Sequence, residues 1–556
     1  MSSGDAPTDA LISCVEEEVV YMEEEKARME AEIHQKKTFV SRLRARKSNP
    51  LLPIFRLPPE TLAIIFIHGA CDYYYKNRPA RRTSCIPSWV NVSYVCSHWR
   101  NIALNFPSLW IYHFNLSLRW TEELLLRSKQ ASLKISCFSP FCEPQTTDLW
   151  WSNLVDNLLE HSGRIQELHL CLLPELLPIT HSLCAHRLED LDIQFHWRPD
   201  WSLAITGGDT PVLRTLRLSC CPLPWYSLNL SKLNSLSLHH APVQLHMADF
   251  LALLSGMQDL TLLNLERVLP SARGFLASGG LGDSPKIDLP HLALLAVVAP
   301  LSTVVALLSS VNIPLKTHLS LTPLFERGSS VGDYAPISSF LAQQFSISKR
   351  PSSSCPIFRS LVIDAGCAAS LTFSSLERDC YPHIPLNDTP PNEMSGHSIP
   401  LKITLGEDNE ELEGVTESDK HRIMSDICCS LPFTNVQTLH VTQPEFPPAI
   451  WKEILRHLDG LHHMRLSDGC MPDLSILSHV ANEPKENPGG KLTHDQDRHI
   501  FVPALEELVL CGISFIRDDA TPHGAHMSQS SLFGTLSTRE LQLTMIGCEM
   551  DVESDG

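Results

Sequence analysis

The segment LRTLRLSCCPL, residues 213–223, decides how most of the chain is expected to fold. Leu213, Leu216 and Leu218 follow the pattern L-x-x-L-x-L, and Cys221 and Leu223 extend it to L-x-x-L-x-L-x-x-C-x-L. Leucines and polar residues alternate through its centre, and alternation with a period of two is typical of a half-buried β-strand. The segment therefore predicts a strand that turns its leucines toward one side of a sheet.

The strand pattern recurs along the chain, first at short and then at longer intervals. From residue 165 to residue 260 the steps are 23, 25, 20 and 27 residues, within the period of roughly 20–29 residues of leucine-rich repeats. Later steps are longer and indicate insertions or undetected units. The alternative is generic amphipathic sequence in a leucine-rich chain. The ten units begin at Ile165, Leu188, Leu213, Leu233, Leu260, Leu292, Phe358, Val436, Leu461 and Leu505.

These units predict an α/β fold in which residues 150–548 form an irregular leucine-rich-repeat solenoid. Each repeat would lay one strand on a parallel, concave sheet, and neighbouring repeats would share one continuous core. Amphipathic helices are predicted before the first, fifth and ninth strands, around residues 150–159, 250–254 and 450–458.

The remaining parts of this region predict loops and a candidate binding surface. Insertions near 322–357, 366–420 and 480–500 are rich in Pro, Ser, Gly and charge, which predicts flexible loops that can include short ordered pieces. The acidic tail at 549–556 predicts disorder. Strand residues that face away from the core are hypothetical ligand contacts, among them Glu167, His169, Asp190, Asp192 and Arg217.

Residues 54–112 predict a small helical domain. The stretch LPPETLAIIFIHG, residues 57–69, begins with prolines that suit the first turn of a helix. After a polar loop at about residues 69–88, the stretch SWVNVSYVCSHWRNIALNFPSLW, residues 88–110, predicts a second helix with its own apolar stripe. So short a segment does not bury all these side chains alone. The remaining apolar surface predicts either a partner or an ordinary helical cap on the following array.

The two halves of this domain carry L-P-x-E-x-L-x-x-I-F and then V-C-x-x-W-R-x-I-A with P-x-L-W. Together they resemble the F-box-like motif in the form common among mushroom-forming fungi, although Thr61 stands where that family usually has Ile, Leu or Val. The resemblance implies docking onto the small adaptor subunit of an SCF (cullin–RING) ubiquitin ligase. The residues that it implies for adaptor binding are Leu57, Pro58, Glu60, Leu62, Ile65, Phe66, Val95, Cys96, Trp99 and Trp110.

The resemblance and the repeats together lead to one functional hypothesis and one alternative. The hypothesis is a substrate-recognition subunit of an SCF-type ligase, which binds the adaptor and cullin complex at one end and a protein target along the solenoid. The alternative is a leucine-rich-repeat scaffold that binds partners without ubiquitin ligation.

Residues 9–47 predict a long N-terminal helix with the heptad pattern of a coiled coil. One series of seven-residue steps runs from Ile12 to Val40 and a second from Val15 to Leu43, with apolar residues at eight of the ten positions. Acidic residues fill the first half of the helix and basic residues the last part. The seam predicts a homodimer or a partner helix; the alternative is a lone, frayed or intramolecularly packed helix, and the sequence does not decide between them.

Enzymatic motifs are absent from the sequence: it has no phosphate loop, zinc-protease helix or nucleophile elbow. We therefore expect no enzymatic activity and no cofactor. The cysteines lack the paired spacing of a structural zinc site. His239-His240 and His462-His463 are expected to point to opposite faces of their strands, which makes them poor metal ligands.

Charge and hydropathy bear on the partners and the location of the protein. The net charge of −19 shows no basic footprint for nucleic acid. The sequence shows neither a signal peptide nor an apolar run of the roughly 18 residues that a bilayer span needs. We therefore expect a soluble protein of the cytoplasm, the nucleus or both, without nucleic-acid or membrane partners.

Overall fold

The computed structural model divides the chain into two compact units, Met1–Ala131 and Ser132–Gly556. The helix predicted at 150–159, the insertion at 480–500 and the tail at 549–556 lie outside the described residues. The structure describes residues 6–48, 53–77, 87–113, 118–138, 160–172, 186–195, 212–221, 230–240, 245–272, 286–324, 331–345, 358–364, 369–374, 401–405, 417–431, 433, 435–442, 448–470, 504–514, 542–546 and 548.

The first unit is helical, and its longest helix confirms the predicted N-terminal helix. The next helix continues to Asn77, so the loop predicted from residue 69 is wrong over that stretch, because Ala70 and Tyr74 extend the buried stripe. The helices are α1 (Ala6–Ser48), α2 (Pro59–Asn77), α3 (Val92–Val95), α4 (Ser97–Asn105) and α5 (Leu118–Ser128), with 3-10 turns at Pro53–Arg56, Ser88–Asn91 and Pro107–Leu109 and a short strand β1 at Tyr112–His113.

The second unit is mixed α/β and contains a large, mostly parallel sheet, as the sequence predicts at that level. Its first strand begins at Leu133, ahead of residue 150, where the repeats were expected to start. The strands are β2 (Leu133–Phe138), β3 (Ile165–Leu172), β4 (Asp190–Phe195), β5 (Thr215–Ser219), β6 (Ser235–His239), β7 (Leu262–Glu266), β8 (Ile287–Asp288), β9 (Leu294–Pro300), β10 (Val311–Asn312), β11 (His318–Leu324), β12 (Ser360–Asp364), β13 (Ala369–Ser374), β14 (Leu401–Leu405), β15 (Thr438–Thr442), β16 (His463–Cys470), β17 (Glu507–Ser514) and β18 (Gln542–Ile546).

Within this unit the neighbouring strands follow the order β2-β3-β4-β5-β6-β7-β9-β11-β14-β13-β12-β15-β16-β17-β18. The pairs are parallel, except that β13 runs antiparallel to both β12 and β14. The expectation of a purely parallel sheet is therefore wrong at β13. This strand and β14 come from the insertion predicted at 366–420, which holds more ordered structure than a loop. β8 and β10 form a separate parallel pair.

The sheet aligns leucines from one strand to the next. Seven neighbouring strands of the sheet, from β3 to β11, each contribute one leucine to an aligned row. None of these leucines is more than 2% exposed. A second apolar row follows two residues later on each strand, so both rows face the same buried side. The first row consists of Leu168, Leu191, Leu216, Leu236, Leu263, Leu295 and Leu319.

A left-handed residue follows three consecutive strands of this sheet. Cys220, His240 and Arg267 have φ of 54°, 50° and 53°. Each donates its backbone N–H to a carbonyl of the strand that lies next to its own in the sheet, at 2.7–2.8 Å. The hydrogen bond offsets part of the cost of a left-handed non-glycine residue, roughly 1–2 kcal/mol. The strands β5, β6 and β7 therefore end in the same turn.

Helices of the second unit bury apolar faces. Two of them confirm the predictions around 250–254 and 450–458, and one lies wholly within the predicted insertion at 322–357. The helices are α6 (Met247–Ser255), α7 (Leu301–Ser310), α8 (Ala335–Phe345), α9 (Glu417–Ser430) and α10 (Pro448–Arg456). The last four pack one against the next in chain order. None of the helices in the described segments has the length and hydropathy needed to cross a membrane.

Candidate functional site

Three of the residues singled out by the F-box-like pattern lie in the hydrophobic core of the helical unit. Leu62 and Phe66 come from one face of α2, and Trp110 follows the 3-10 turn after α4. Each such buried side chain stabilises the unit by roughly 1.5–3 kcal/mol. Because all three are covered by their own unit, they shape the surface around them and are not themselves accessible to a partner.

Trp110 joins several parts of this core. Its indole Nε1 donates a hydrogen bond to the carbonyl oxygen of Ala103 at 2.7 Å, which satisfies the one polar group of a fully buried ring. The Trp89 ring lies 5.4 Å away, and the guanidinium of Arg127 lies 4.4 Å from the centre of the Trp110 ring. These contacts hold α4, α5 and the 3-10 turns in one arrangement.

A sharp turn at Cys96 separates α3 from α4. Cys96 has an extended backbone, and its Sγ accepts a hydrogen bond from the backbone N–H of Trp99 at 3.4 Å, which caps α4. The guanidinium of Arg100 lies 5.8 Å from the ring centre of Tyr94. The turn leaves Tyr94 and Val95 as the last residues before it, and both side chains remain exposed.

Apart from Tyr75 near the C-terminal end of α2, four large apolar side chains of α2 and α3 are exposed, and we term these four the outer apolar set. They are Ile64 (55% exposed), Ile65 (47%), Tyr94 (61%) and Val95 (58%). Ile64 and Tyr94 were missed at the sequence level, although each adjoins a residue of the motif. Large apolar side chains that stay exposed beside a well-formed core are accessible to a partner.

A groove of about 460 Å³ lies between α2 and the segment from Ser88 to Trp99. Its α2 wall runs from Ile65 to Lys76, where Lys76 Nζ pairs with Asp72 at 2.7 Å on the exposed surface. The Phe66 and Trp99 rings meet at 4.9 Å between the two walls. The groove therefore adds concave apolar surface next to Ile65 of the outer apolar set.

The predicted adaptor-binding residues fall into three groups by exposure. The exposed ones are Pro58, Glu60, Ile65 and Val95; the half-buried ones are Leu57, Cys96 and Trp99; the buried ones are Leu62, Phe66 and Trp110. The structure brings them into one unit, but only the first two groups contribute to its surface.

The hypothetical ligand contacts on the sheet are largely paired with one another. Lys134 Nζ lies 2.5 Å from Glu167 Oε1 on the adjacent strand. His169 lies 3.8 Å from Glu167 and 3.7 Å from Asp192, and all three side chains are buried. These interactions link β2, β3 and β4 across the polar face, so Glu167, His169 and Asp192 are structural contacts rather than a free binding surface.

His239 and His240 converge on one carboxylate, so the expectation that they face opposite sides is wrong. His239 Nδ1 lies 2.7 Å from Glu266 Oε2, and His240 Nε2 lies 3.0 Å from Glu266 Oε1. The left-handed φ of His240 ends the strand alternation and allows both rings to reach the same residue. The hydrogen bond from His239 lowers the pKa of Glu266, although partial burial opposes it.

The other described residues contain few groupings of side chains that could bind a metal or take part in catalysis. Within the described ranges no three or more His, Cys, Asp or Glu side chains are grouped so as to hold a metal ion. Ser467 and His440 share a hydrogen bond of 2.6 Å between β15 and β16, and both side chains are buried. This contact links two strands of the sheet.

Comparison with known proteins does not identify a family for this chain. No protein-family model matches the sequence, and no curated protein matches it.

Proposed function

We propose that the helical unit is an F-box-like docking module for the adaptor subunit of an SCF-type ubiquitin ligase. The second unit would be an irregular leucine-rich-repeat solenoid that holds a protein target. The protein would act without catalysis, in the cytoplasm or nucleus, by bringing a target to the subunits that transfer ubiquitin. The observation that carries the proposal is the outer apolar set, which stays exposed beside a core built from residues of the same motif.

The proposal assigns different roles to the buried and the exposed residues of the motif. Leu62, Phe66 and Trp110 hold the unit together, so their loss would remove binding only by unfolding it. Ile65 and Val95 are about half exposed, and an adaptor that covered them would gain apolar contact without any rearrangement of the core. A few such side chains commonly supply most of the binding energy of an interface.

The interpretation of the second unit as a repeat array rests on the aligned leucine rows. Consecutive strands from β3 to β7 repeat the same inward residues at steps close to one period, and β5 to β7 end in the same left-handed turn. An array in which each repeat contacts its neighbours produces such alignment. In this proposal the target binds exposed polar positions on the strands, such as Gln194, rather than the buried His169 cluster.

The test measures binding of a purified SCF adaptor subunit to the full chain. Ile65→Asp combined with Val95→Asp should raise the Kd by more than about ten-fold, because the interface would then bury carboxylates among apolar groups. Leu126→Asp is the matched control: Leu126 is 73% exposed on α5, outside the outer apolar set. Circular dichroism should show that all variants remain folded. Wild-type protein that fails to bind the adaptor, or a double variant that binds like wild type, would refute the proposal.

A scaffold that binds partners without a ligase is the second candidate. It is favoured by polar side chains that stay exposed on the strands of the second unit, such as Gln194. Affinity purification of the full chain separates the two candidates. Recovery of target proteins together with adaptor and cullin supports the first, and recovery of targets alone supports the second.

A further inference from the structure

Helix α1 presents an uncovered apolar seam to solvent. Between residues 11 and 44 every side chain is exposed except Thr38, which is half-buried. The seam consists of two heptad series, and the helix extends for roughly 46 Å between its first and last seam residues. An exposed apolar seam of this kind is typically buried by packing against a second helix. The exposed seam residues are Ile12, Val15, Val19, Met22, Met29, Ile33, Val40 and Leu43.

The charge of α1 is divided between its two ends. Residues 11–25 carry six acidic and no basic side chains, whereas residues 26–44 carry six basic and two acidic ones. Two copies aligned in parallel would place acidic end against acidic end. Two copies aligned antiparallel place each acidic end against a basic end, so the charge pattern discriminates between the orientations.

We propose that α1 associates with α1 of a second copy of this chain as an antiparallel coiled coil. In this arrangement each residue of one seam series faces a residue of the other series, and all ten seam positions are used. The layers, each formed twice by symmetry, are Ile12–Leu43, Val15–Val40, Val19–Lys36, Met22–Ile33 and Lys26–Met29.

The two lysines of the seam distinguish this arrangement from a parallel one. In a parallel pair, Lys26 would face Lys26 of the second copy, and Lys36 would face Lys36, so like charges would meet inside the seam. In the antiparallel pair, Lys26 faces Met29 and Lys36 faces Val19. Each lysine can then lay its aliphatic stem on the seam and keep its ammonium group at the edge.

Flanking charges give the antiparallel arrangement a specific contact. Glu16 and Lys37 occupy equivalent heptad positions beside the seam. In the antiparallel layers Glu16 of one copy lies next to Lys37 of the other, twice per dimer. In a parallel pair the neighbour of Lys37 is Glu32, and Glu16 lies beside Leu11. The Glu16–Lys37 contact is therefore unique to the antiparallel dimer.

Zero-length cross-linking tests this contact directly in the full chain. A carbodiimide joins a carboxylate to an amine only when they touch. Within one helix, Glu16 and Lys37 are 21 residues apart, or roughly 31 Å, so a peptide linking them must come from two chains. Sedimentation should show a dimer, and mass spectrometry should detect the Glu16–Lys37 link. A monomer at micromolar concentration, or a dimer without this link, would overturn the proposal.

A charge swap provides an independent test by dimer affinity. Glu16→Lys alone and Lys37→Glu alone should each raise the dimer Kd on the order of ten-fold, because each replaces two attractive contacts with two repulsive ones. The double variant should return to within about two-fold of wild type. Glu17→Lys, the same charge change on the outward face, should leave the Kd unchanged. If the double variant is as weak as the sum of the single changes, the helices do not pair in this way.

Discussion

Replacement of Leu216 by alanine should open the sheet locally around β5. Leu216 is fully buried and lies between Leu191 of β4 and Leu236 of β6 in the aligned leucine row. The change removes three carbon atoms from a site enclosed on both sides, where the neighbouring leucines belong to fixed strands and relax only in part. Buried Leu→Ala changes cost about 3 kcal/mol at such sites, within a range of roughly 2–5 kcal/mol.

Hydrogen exchange measured by mass spectrometry is the suitable assay, because a unit of this size need not unfold in one step. Amides of β4, β5 and β6 should exchange about a hundred-fold faster in Leu216→Ala, which corresponds to about 3 kcal/mol. If each strand depends mainly on its neighbours, peptides from β16 and β17 should change far less.

Arg214→Ala supplies the matched control, since Arg214 is exposed two residues before the buried leucine. It should change exchange by less than about 0.5 kcal/mol. Equal effects of the two variants would contradict the assignment of the leucine row to the core. A uniform increase over β2 to β18 would contradict the nearest-neighbour organisation instead.

Three further predictions follow from local geometry. Glu266→Gln should destabilise the protein near neutral pH, since the lowered pKa of Glu266 means that the fold stabilises its carboxylate form. The stability advantage of the wild type over this variant should shrink as the pH falls below 4.5, the ordinary pKa of a glutamate. Thermal melts at a series of pH values would show this change. Burial raises the pKa of the Cys221 thiol to about 12, so iodoacetamide at pH 8 should modify the exposed Cys14 long before Cys221 in peptide maps. Gly512→Ala should cost about 1 kcal/mol in denaturant unfolding, since Gly512 has φ of +61° and an added Cβ would lie 3.1 Å from Asp468 Oδ1.

Many strands could be predicted from the sequence because the pattern that indicates them spans only a few residues. Alternation of leucine with polar residues determines which side chains share a face, whatever the rest of the chain does. Strands without a leading apolar residue were missed. In β11, Lys316 stands where the pattern requires a leucine, although Leu319 and Leu321 are buried as the pattern would predict.

The candidate docking surface was only partly predictable. Ile64, Ile65 and Phe66 are consecutive apolar residues on α2, and the motif alone does not reveal which of them the core will cover. Packing against Trp99 and Trp89 decides it: Phe66 turns inward, and the two isoleucines stay exposed. The resemblance named the right segment, but the accessible side chains depend on how the helices pack together.

The amino-acid sequence by itself determined the long charged helix, the apolar stripes and most of the leucine strands, because periodicity acts over a few residues. Only the tertiary structure decided the antiparallel direction of β13 and the meeting of His239 and His240 on Glu266. Glu266 is 27 residues beyond His239, and the contact depends on strand register and on a left-handed turn at His240. Register and turn are consequences of burying the leucine rows together, and that burial involves residues from many strands at once.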